Sequence, residues 1–454
     1  MDKQRCYFVS LGCAKNLVDS EVMLGKMLKT GHQIIQEVEK ADIIIVNTCS
    51  FIDIAKEESV ETILEMARYK DPAAGKCKLL VVAGCMPQRY AGELESLLPE
   101  VDLFIGTGEY AKIDTHIENL QQLPQQKMQV GKPTYLPNNE EPRINTAPPY
   151  MAWLKISEGC DRHCSFCIIP KIRGDLRSRT VPSLLEEANS LVKNGVRELN
   201  LVAQDLSAYG NDLVPPSDVG KNIPLKQLLN SLQSDVRPDW IRLLYIYPDQ
   251  IDIDLLKMIA DSQRICHYLD IPVQHFADAV LKKMNRGKGV SGQLLLEKVQ
   301  KIKEIIPDVV LRTSIIVGHP GESDKDFQML LKGIEEGQFH NLGAFKYSDE
   351  EGTAAYNFED KIPAQVINDR FKEVYKLQKK ITAKLNKQYK EKVLDVLIEG
   401  AHSETDLLFQ GRFYGQAPDI DGKVIINEGS ARVGEIVKVK ITQVHYYDLV
   451  GKIL

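Results

Sequence analysis

Short apolar runs alternate with longer stretches of helical periodicity over the first 110 residues of the chain. Three of the runs predict buried strands, at residues 6–11, 41–47 and 79–84. Three of the longer stretches repeat their apolar positions at helical spacing, at residues 17–29, 54–69 and 88–98. Strands that alternate with helices indicate a doubly wound parallel α/β domain, which we assign to residues 1–125.

A second alternating series begins at Tyr150, after a segment whose scattered prolines and lack of period predict a linker over residues 126–149. Its apolar runs predict strands at residues 152–156, 198–202, 240–245, 268–272, 309–317 and 341–345. Helical stretches separate them at residues 184–193, 225–233, 252–260, 292–306 and 325–336. Six such units over residues 150–384 favour an open, partial (β/α) barrel over a closed eightfold one.

The texture changes once more near the end of the chain. A charged helix is predicted over residues 365–388, and short alternating strands with Gly and Asp turns follow from Val393. The predicted strands are residues 393–398, 424–426 and 436–444. This pattern is typical of a small antiparallel β-barrel of the OB-like kind, which we assign to residues 385–454.

Composition limits the number of domains, the cellular location and the use of the cysteines, but it does not identify the reaction. At 454 residues the chain is too long for one core, and its apolar runs are too short to span a bilayer. No secretory segment is visible at the N-terminus, so we expect a cytoplasmic protein without membrane contact. Nine cysteines in such a chain indicate metal ligands, redox groups or buried thiols before disulfides.

Three cysteines lie together in a C-x3-C-x2-C motif: Cys160, Cys164 and Cys167. The motif follows the first strand of the predicted barrel, at the end where α/β folds build their sites. Three local thiolates suit a four-iron cluster with one iron left open, the arrangement used by radical S-adenosylmethionine chemistry. A zinc site completed by His163 or by a distant residue is the alternative, although no second cysteine pair is present.

Three further cysteines each follow a predicted strand of the first domain: Cys13, Cys49 and Cys85. The carboxyl ends of parallel strands lie along one rim, so these thiols are expected to converge and to hold a second metal cluster. The alternative is three unrelated buried thiols, because free cysteine is a common core residue. The remaining cysteines lack this placement; we expect Cys6 and Cys266 in the core and Cys77 in a helix-to-strand connection.

Other residues of the second domain are predicted to face the same rim. A strand runs into a glycine turn at Gly318, Gly321 and Glu322, where backbone can approach a cofactor. Polar residues close other strands and are candidate contacts for S-adenosylmethionine or substrate: Gln204, Asp205, Asp270 and Gln274. Ordinary strand-to-helix turns, helix capping and solvation are the alternatives. The basic segment 171–179 is either a clamp for a carboxylate or phosphate or a solvated loop.

Taken together, five segments resemble the methylthiotransferase family of radical S-adenosylmethionine enzymes. They are Ser10-Leu11-Gly12-Cys13, Asn47-Thr48-Cys49-Ser50-Phe51-Ile52, Gly84-Cys85, the C-x3-C-x2-C loop and Arg173-Gly174-Asp175-Leu176-Arg177-Ser178-Arg179. The resemblance extends over essentially the whole chain and implies an N-terminal methylthiotransferase domain, a radical barrel and a C-terminal TRAM barrel. Two segments, Leu17-Val18-Asp19-Ser20-Glu21 and Ile156-Ser157-Glu158-Gly159-Cys160, are most similar to the branch that modifies an aspartate of ribosomal protein S-twelve. The main relative instead modifies an adenosine in tRNA.

The resemblance implies roles for both cysteine sets. Cys160, Cys164 and Cys167 would hold the radical four-iron cluster, whose open iron binds S-adenosylmethionine. Cys13, Cys49 and Cys85 would hold a second four-iron cluster, which carries the sulfur to be transferred. A deoxyadenosyl radical would take hydrogen from the β-carbon of the substrate aspartate, and a second S-adenosylmethionine would supply the methyl group. The implied partners are a ribosomal protein or small subunit, an electron donor and a sulfur source, and we expect a monomer.

Charge offers a separate test of the substrate. Residues 391–454 contain ten Asp and Glu against seven Lys and Arg, a net charge of -3. Most of the acid comes from Asp395, Glu399, Glu404, Asp406, Asp419 and Asp421. An acidic barrel repels phosphate and attracts a basic protein, which makes tRNA the less favoured substrate. The alternative to an acidic binding face is a local basic stripe through Lys438 and Lys440. The alternative to an enzyme is a non-catalytic iron-sulfur or zinc scaffold.

Overall fold

A computed structural model of the protein describes residues 3–123, 125–138, 141–287, 289–402 and 405–454. Its N-terminal part is a parallel sheet with the strand order β2-β1-β3-β4-β5-β6. The strands are β1 Arg5–Ser10, β2 Gln33–Ile34, β3 Ile43–Thr48, β4 Leu79–Gly84, β5 Leu103–Ile105 and β6 Met128–Gln129. The helices are α1 Ala14–Lys29, α2 Asp53–Ala67, α3 Cys85–Leu97 and α4 Ile113–Gln122.

Helices cover both faces of this sheet. Helices α1 and α4 bury apolar side chains against one face, and α2 and α3 cover the other. Strand β3 is consequently buried at every position, which explains the apolar run over its first four residues. The doubly wound parallel domain predicted from the sequence is confirmed.

The segment predicted as a linker is tied to the first domain. Its residues Met128 and Gln129 form β6, which pairs with β5. Farther along, Arg143 donates a hydrogen bond to Glu21 of α1 at 2.8 Å, and the Thr146 amide donates to the same carboxylate at 2.7 Å. The segment therefore lies as a strap along α1; Pro124, Asn139 and Glu140 are outside the described residues.

The middle of the chain forms an open parallel sheet in the order β14-β13-β12-β11-β10-β7. The strands of this part are β7 Met151–Lys155, β8 Ser157–Glu158, β9 Arg177–Ser178, β10 Glu198–Val202, β11 Trp240–Leu243, β12 Ile265–Asp270, β13 Val310–Val317 and β14 Asn341–Lys346. Its helices are α5 Ile169–Arg173, α6 Val181–Lys193, α7 Ile223–Ser231, α8 Ile253–Ala260, α9 Asp278–Lys283, α10 Gly292–Ile305, α11 Asp324–Gly337 and α12 Ala364–Asn386. The predicted partial barrel is confirmed, with a β8–β9 hairpin and the short helices α5 and α9 that periodicity did not reveal.

The two faces of this open sheet have different neighbours. One set of alternating strand residues packs against the surrounding helices. The other set, which includes Trp153 and Tyr268, shares an apolar cluster with Val18 of α1 and with the C-terminal barrel. All three parts of the chain therefore contribute to this one apolar cluster.

The C-terminal barrel is closed in the order β15-β16-β17-β19-β18. Its strands are β15 Val393–His402, β16 Thr405–Phe413, β17 Val424–Glu428, β18 Ile436–Val444 and β19 Leu449–Ile453. The predicted small barrel is confirmed, although β17 and β19 pair in parallel while the other neighbouring strands are antiparallel. Glu404 lies outside the described residues. Among the helices that the structure describes, none is both long and apolar enough to cross a membrane.

Candidate active site

The cysteines of the N-terminal domain follow three neighbouring strands of the sheet. Cys13 precedes the first residue of α1, Cys49 comes directly after β3, and Cys85 is the first residue of α3 after β4. Because β1 lies between β2 and β3, the chain reverses direction across the sheet between β1 and β3. Open α/β sheets bind their ligands at such a switch point, and Cys13 and Cys49 lie on its two sides.

Gly12 brings the first two of these cysteines together. Its φ is +87°, a left-handed backbone conformation that glycine adopts without strain. A Cβ at this position would lie 2.8 Å from the Cys49 Cβ and 3.1 Å from its Sγ. Only a residue without a side chain allows the Cys13 loop to approach Cys49 this closely.

The three thiols also act on one another electrostatically. Burial raises the pKa of Cys85 to about 12, and the neighbouring Cys49 and Cys13 add to this effect. Burial likewise raises the pKa of Cys49. Desolvated thiolates this close together need positive charge, which the irons of a cluster supply, so the donor set fits an iron-sulfur group.

The second set lies in the loop between β8 and α5. The Cys160 amide donates to the Gly174 carbonyl at 3.0 Å, and the Cys167 amide donates to the Cys164 carbonyl at 3.1 Å. Arg286 Nη1 lies 3.4 Å from the Cys164 Sγ. Burial raises the pKa of Cys160 and of Cys167 to about 12. Partly buried thiols that receive N–H groups have the surroundings that iron-sulfur clusters use.

In the part of the chain that the structure describes, no group of three His, Cys, Asp or Glu side chains is arranged to hold a single metal ion. The ligands of one zinc ion stand ~4 Å apart, because each bond is about 2.3 Å long. A four-iron cluster makes a different demand, since each of its thiolates binds a different iron.

A buried arginine links the two cysteine sets. Arg173 Nη2 lies 3.4 Å from the Cys85 Sγ, and its Nη1 donates to Asp19 at 2.5 Å. The same guanidinium contacts Glu158, which precedes Cys160 by two residues. The basic segment 171–179 is therefore only partly a solvated loop: Lys171 is exposed, but Arg173 and Arg179 are buried and paired internally.

Glu158 is held ionised inside this network. Burial would raise its pKa, but Lys155 and Arg173 outweigh that effect and lower the pKa to about 2. Lys155 donates to Glu158 at 2.7 Å and also pairs with Asp19, while Gln204 Nε2 donates to the other carboxylate oxygen at 2.6 Å. Sequence reasoning missed Asp19 and Lys155 as parts of the site. The available clue was a lysine inside an otherwise apolar strand, which has to be paired when buried.

The glycine turn after β13 is occupied by internal contacts. The Gly318 amide donates to Glu322 at 2.8 Å, and Glu322 accepts from Arg370 of α12 at 2.6 Å. The Gly321 amide donates to the Asp360 carbonyl at 2.8 Å. These residues position the turn against α12, and their contact with S-adenosylmethionine stays a prediction.

The other predicted rim residues differ in whether their polar atoms are hydrogen-bonded within the protein. The Gln204 Oε1 and the Asp270 Oδ1 are buried and have no hydrogen-bond partner among the described residues. Burial raises the pKa of Asp270 to about 6. Asp205 instead pairs with Arg162 of the C-x3-C-x2-C loop at 2.9 Å. Gln204 and Asp270 thus fit a polar ligand better than Asp205 does, and their role toward S-adenosylmethionine stays a prediction.

Three family models match successive parts of the chain. They are uncharacterized protein family UPF0004 over residues 5–106, the radical SAM superfamily over residues 154–334 and the TRAM domain over residues 392–454. Their order agrees with the three parts of the fold. Between them they match both cysteine sets.

Two relatives extend over almost the entire chain. A protein of Geobacter sulfurreducens named ribosomal protein uS12 methylthiotransferase RimO is 47% identical over 453 residues, 100% of this chain and 99% of the relative. A protein of the same name from Myxococcus xanthus is 48% identical over 448 residues, 99% of this chain and 91% of the relative. The chain belongs to the RimO family of radical S-adenosylmethionine methylthiotransferases. It is thus an enzyme that transfers a methylthio group, with two four-iron clusters and S-adenosylmethionine as cofactors.

A solved structure of much lower sequence identity is similar to this chain in fold. It is the radical S-adenosylmethionine methyltransferase TsrM from Kitasatospora setae with cobalamin and a 4Fe-4S cluster bound. Its TM-score is 0.56 at 12% identity, and the match covers 76% of this chain and 72% of that chain. At this identity the likeness shows the fold alone. The family, fold class, enzyme class and cofactors predicted from the sequence are confirmed.

Proposed function

We propose that the protein adds a methylthio group to the β-carbon of an aspartate in ribosomal protein S-twelve. In this proposal Cys160, Cys164 and Cys167 hold the radical cluster. Cys13, Cys49 and Cys85 hold the cluster that carries the sulfur. The observation that carries the assignment is Arg173, which contacts both Cys85 and the Glu158 carboxylate beside the C-x3-C-x2-C loop.

The side chains around the cysteines hold the two sites in place. When bound, the clusters and S-adenosylmethionine supply the one-electron chemistry that opens an unactivated C–H bond. Arg173 and Arg286 each place an N–H group 3.4 Å from a thiol sulfur, which orients the thiol and stabilises its negative charge. A shared apolar cluster holds the open sheet, α1 and the C-terminal barrel together.

Charge in the C-terminal barrel supports a basic protein over tRNA as the substrate. The net charge of residues 391–454 is -3, from ten acidic and seven basic residues. Of the two lysines that suggest a basic stripe, Lys438 pairs with Asp395 at 2.8 Å and Lys440 with Glu391 at 3.0 Å. Neither is left to bind phosphate without giving up an acidic partner.

Several further partners follow from this substrate. Sulfur transfer and reductive cleavage require a sulfur source and an electron donor, and both belong to the proposal. Because ribosomal proteins are made and assembled in the cytoplasm, we place the enzyme there, acting as a monomer on free S-twelve or on the small subunit.

A competition under strict anaerobiosis tests the substrate. Reconstituted enzyme, S-adenosylmethionine, reductant and sulfide are offered S-twelve and unmodified tRNA together, and both are analysed by mass spectrometry. A methylthio group on an aspartate supports the proposal, whereas one on an adenosine overturns the choice of substrate. Absence of deoxyadenosine release from reduced enzyme would instead favour the non-catalytic scaffold. The matched control is Cys164→Ala, which should yield neither product.

A further inference from the structure

A lysine of the N-terminal domain reaches across to the rim of the open barrel. Lys15 lies two residues after Cys13 in the first turn of α1. Its Nζ stands 3.7 Å from the centre of the Tyr245 ring, and Tyr245 follows β11 of the barrel. The ammonium also lies close enough to the Cys13 thiol and the Asp270 carboxylate to interact with both electrostatically.

Lys15 differs from the other cations at this domain boundary. Lys155 of β7 pairs with Asp19 and Glu158. Lys26, which like Lys15 belongs to α1, pairs with Glu141 at 2.5 Å. Lys15 is half-buried, yet no carboxylate in the described ranges lies within ion-pairing distance of it. A partly desolvated ammonium that lies over an aromatic ring, with no carboxylate within ion-pairing distance among the described residues, retains capacity for an anion.

The barrel surface opposite Lys15 has a strained backbone and a buried oxygen that accepts no hydrogen bond from the described residues. Tyr245 has a φ of +63°, which a bulky residue rarely adopts. Its amide donates to Asp270 Oδ2 at 3.2 Å, and its carbonyl accepts from the Leu206 amide at 3.0 Å. The other Asp270 oxygen is buried and accepts no hydrogen bond from the described residues, although Arg312 Nε lies 3.9 Å from it. Strain of this kind collects at ligand-binding sites, where the surrounding structure maintains it.

We propose that the Lys15 ammonium binds the side-chain carboxylate of the substrate aspartate. The inference rests on the proposed function, because an aspartate carries a carboxylate on the carbon that receives sulfur and an adenosine base does not. With the carboxylate held at Lys15, the adjacent β-carbon lies beside Cys13, the accessible thiol of the sulfur-carrying set. Lys15 thereby selects aspartate and positions it; the C–H bond is opened by other groups.

Binding of S-twelve to the holoenzyme tests this role directly. Enzyme with both clusters and S-adenosylmethionine, kept unreduced so that no turnover occurs, is titrated with S-twelve and with its aspartate-to-asparagine form. We expect the unmodified enzyme to prefer the aspartate form by about 10- to 100-fold, the range of a charge-assisted hydrogen bond. Lys15→Gln should lose that preference, and Lys15→Arg should retain much of it. Lys29→Gln, an exposed lysine on the same helix, should behave as the unmodified enzyme.

The failing outcomes are distinct. If Lys15→Gln weakens binding of the aspartate and asparagine forms of S-twelve equally, the carboxylate assignment is wrong. It is also wrong if the variant changes only the affinity for S-adenosylmethionine or tRNA. Iron content and the visible absorption of the clusters show whether the variant is intact, and Lys15→Arg keeps the test decisive if Lys15→Gln loses iron. Failure of the proposed function would look different, because the unmodified enzyme would then leave the S-twelve aspartate unchanged.

Discussion

Glu198 of β10 accepts a hydrogen bond from Arg412 of the C-terminal barrel, with 2.6 Å between Oε2 and Nη2. Its other oxygen accepts from Arg242 of β11 at 2.8 Å. All three side chains are buried, and Glu198 joins the two guanidinium groups between the two barrels, while Arg412 also pairs with Glu399 at 2.6 Å. Losing this carboxylate leaves two buried positive charges with fewer partners.

Glu198→Gln should therefore weaken the fold substantially. We expect the free energy of unfolding to fall by ~3–5 kcal/mol, the usual cost of removing one partner from a buried ion pair. Urea unfolding under anaerobic conditions measures the change. Glu428→Gln is the matched control, because Glu428 forms an exposed pair with Lys452 and its loss should cost less than ~1 kcal/mol. Equal losses in the two variants would contradict the prediction.

The effect of Glu198 should also depend on pH. Burial opposes its ionisation, but Arg412 and Arg242 outweigh burial and lower the pKa of Glu198 from 4.5 to about 2. A carboxylate with a lowered pKa in the folded state contributes stability that is complete above its unfolded pKa and is lost as pH falls toward the folded one. The difference in unfolding free energy between the unmodified protein and Glu198→Gln should thus narrow below pH 4.5. A difference that stays constant from pH 6 to pH 3 would refute this account.

Substitutions in the two cysteine sets should have different effects on the reaction. Cys164→Ala should remove about half of the bound iron and abolish cleavage of S-adenosylmethionine. Cys13→Ala should also lose about half of the iron, but it should retain cleavage and fail to transfer sulfur. Iron assay, deoxyadenosine release and product mass distinguish them. Cys6→Ala is the control, since Cys6 is buried in β1 away from both sets, and retained cleavage in Cys164→Ala would disprove the radical-cluster assignment.

Gly12→Ala should damage the second cluster beyond its effect on stability. The new methyl group would collide with Cys49 in addition to straining a backbone with φ +87°. Gly195→Ala is the matched control, because Gly195 has φ +101° but open space around its Cβ position. Both variants should lose ~1 kcal/mol of stability from backbone strain, whereas only Gly12→Ala should lose iron and product. Equal iron content in both would show that the Cys13 loop does not depend on this contact.

Arg173→Met should disturb both stability and redox behaviour. Asp19 and Glu158 would keep only Lys155 as a cation, which should cost ~3–5 kcal/mol of unfolding free energy. The second cluster would also lose an N–H group beside Cys85, so its midpoint potential should become more negative. Redox titration followed by electron paramagnetic resonance measures this shift. Lys171→Met, an exposed change in the same segment, should alter neither quantity.

Local pattern predicted most of the fold and little of the network around the cysteines. Strands such as β3 and β4 were predicted to within two residues, because burial on both faces leaves an uninterrupted apolar run. The hairpin β8–β9 is two residues on each side and too short to show a period.

The cysteine positions were accessible to sequence reasoning because one set follows three recognisable strands and the other shows a C-x3-C-x2-C spacing. The pairing of Arg173 with Asp19 was not, since 154 residues separate them and only the docking of two domains brings them together. Lys15 and Tyr245 likewise meet only across that boundary. Side chains whose partners belong to another domain leave no periodic trace in either one.

The apolar cluster shared by Val18, the open sheet and the C-terminal barrel has a consequence for biosynthesis. The cluster contains both Val18 and Leu449, which is translated 431 residues later (449 - 18). At a synthesis rate of about 20 residues per second, roughly 20 seconds pass between the two. During that interval one side of α1 emerges from the ribosome without its final covering. The N-terminal domain therefore exposes an apolar surface while the rest of the chain is being synthesised. We expect the nascent chain to need more protection from aggregation than the completed enzyme.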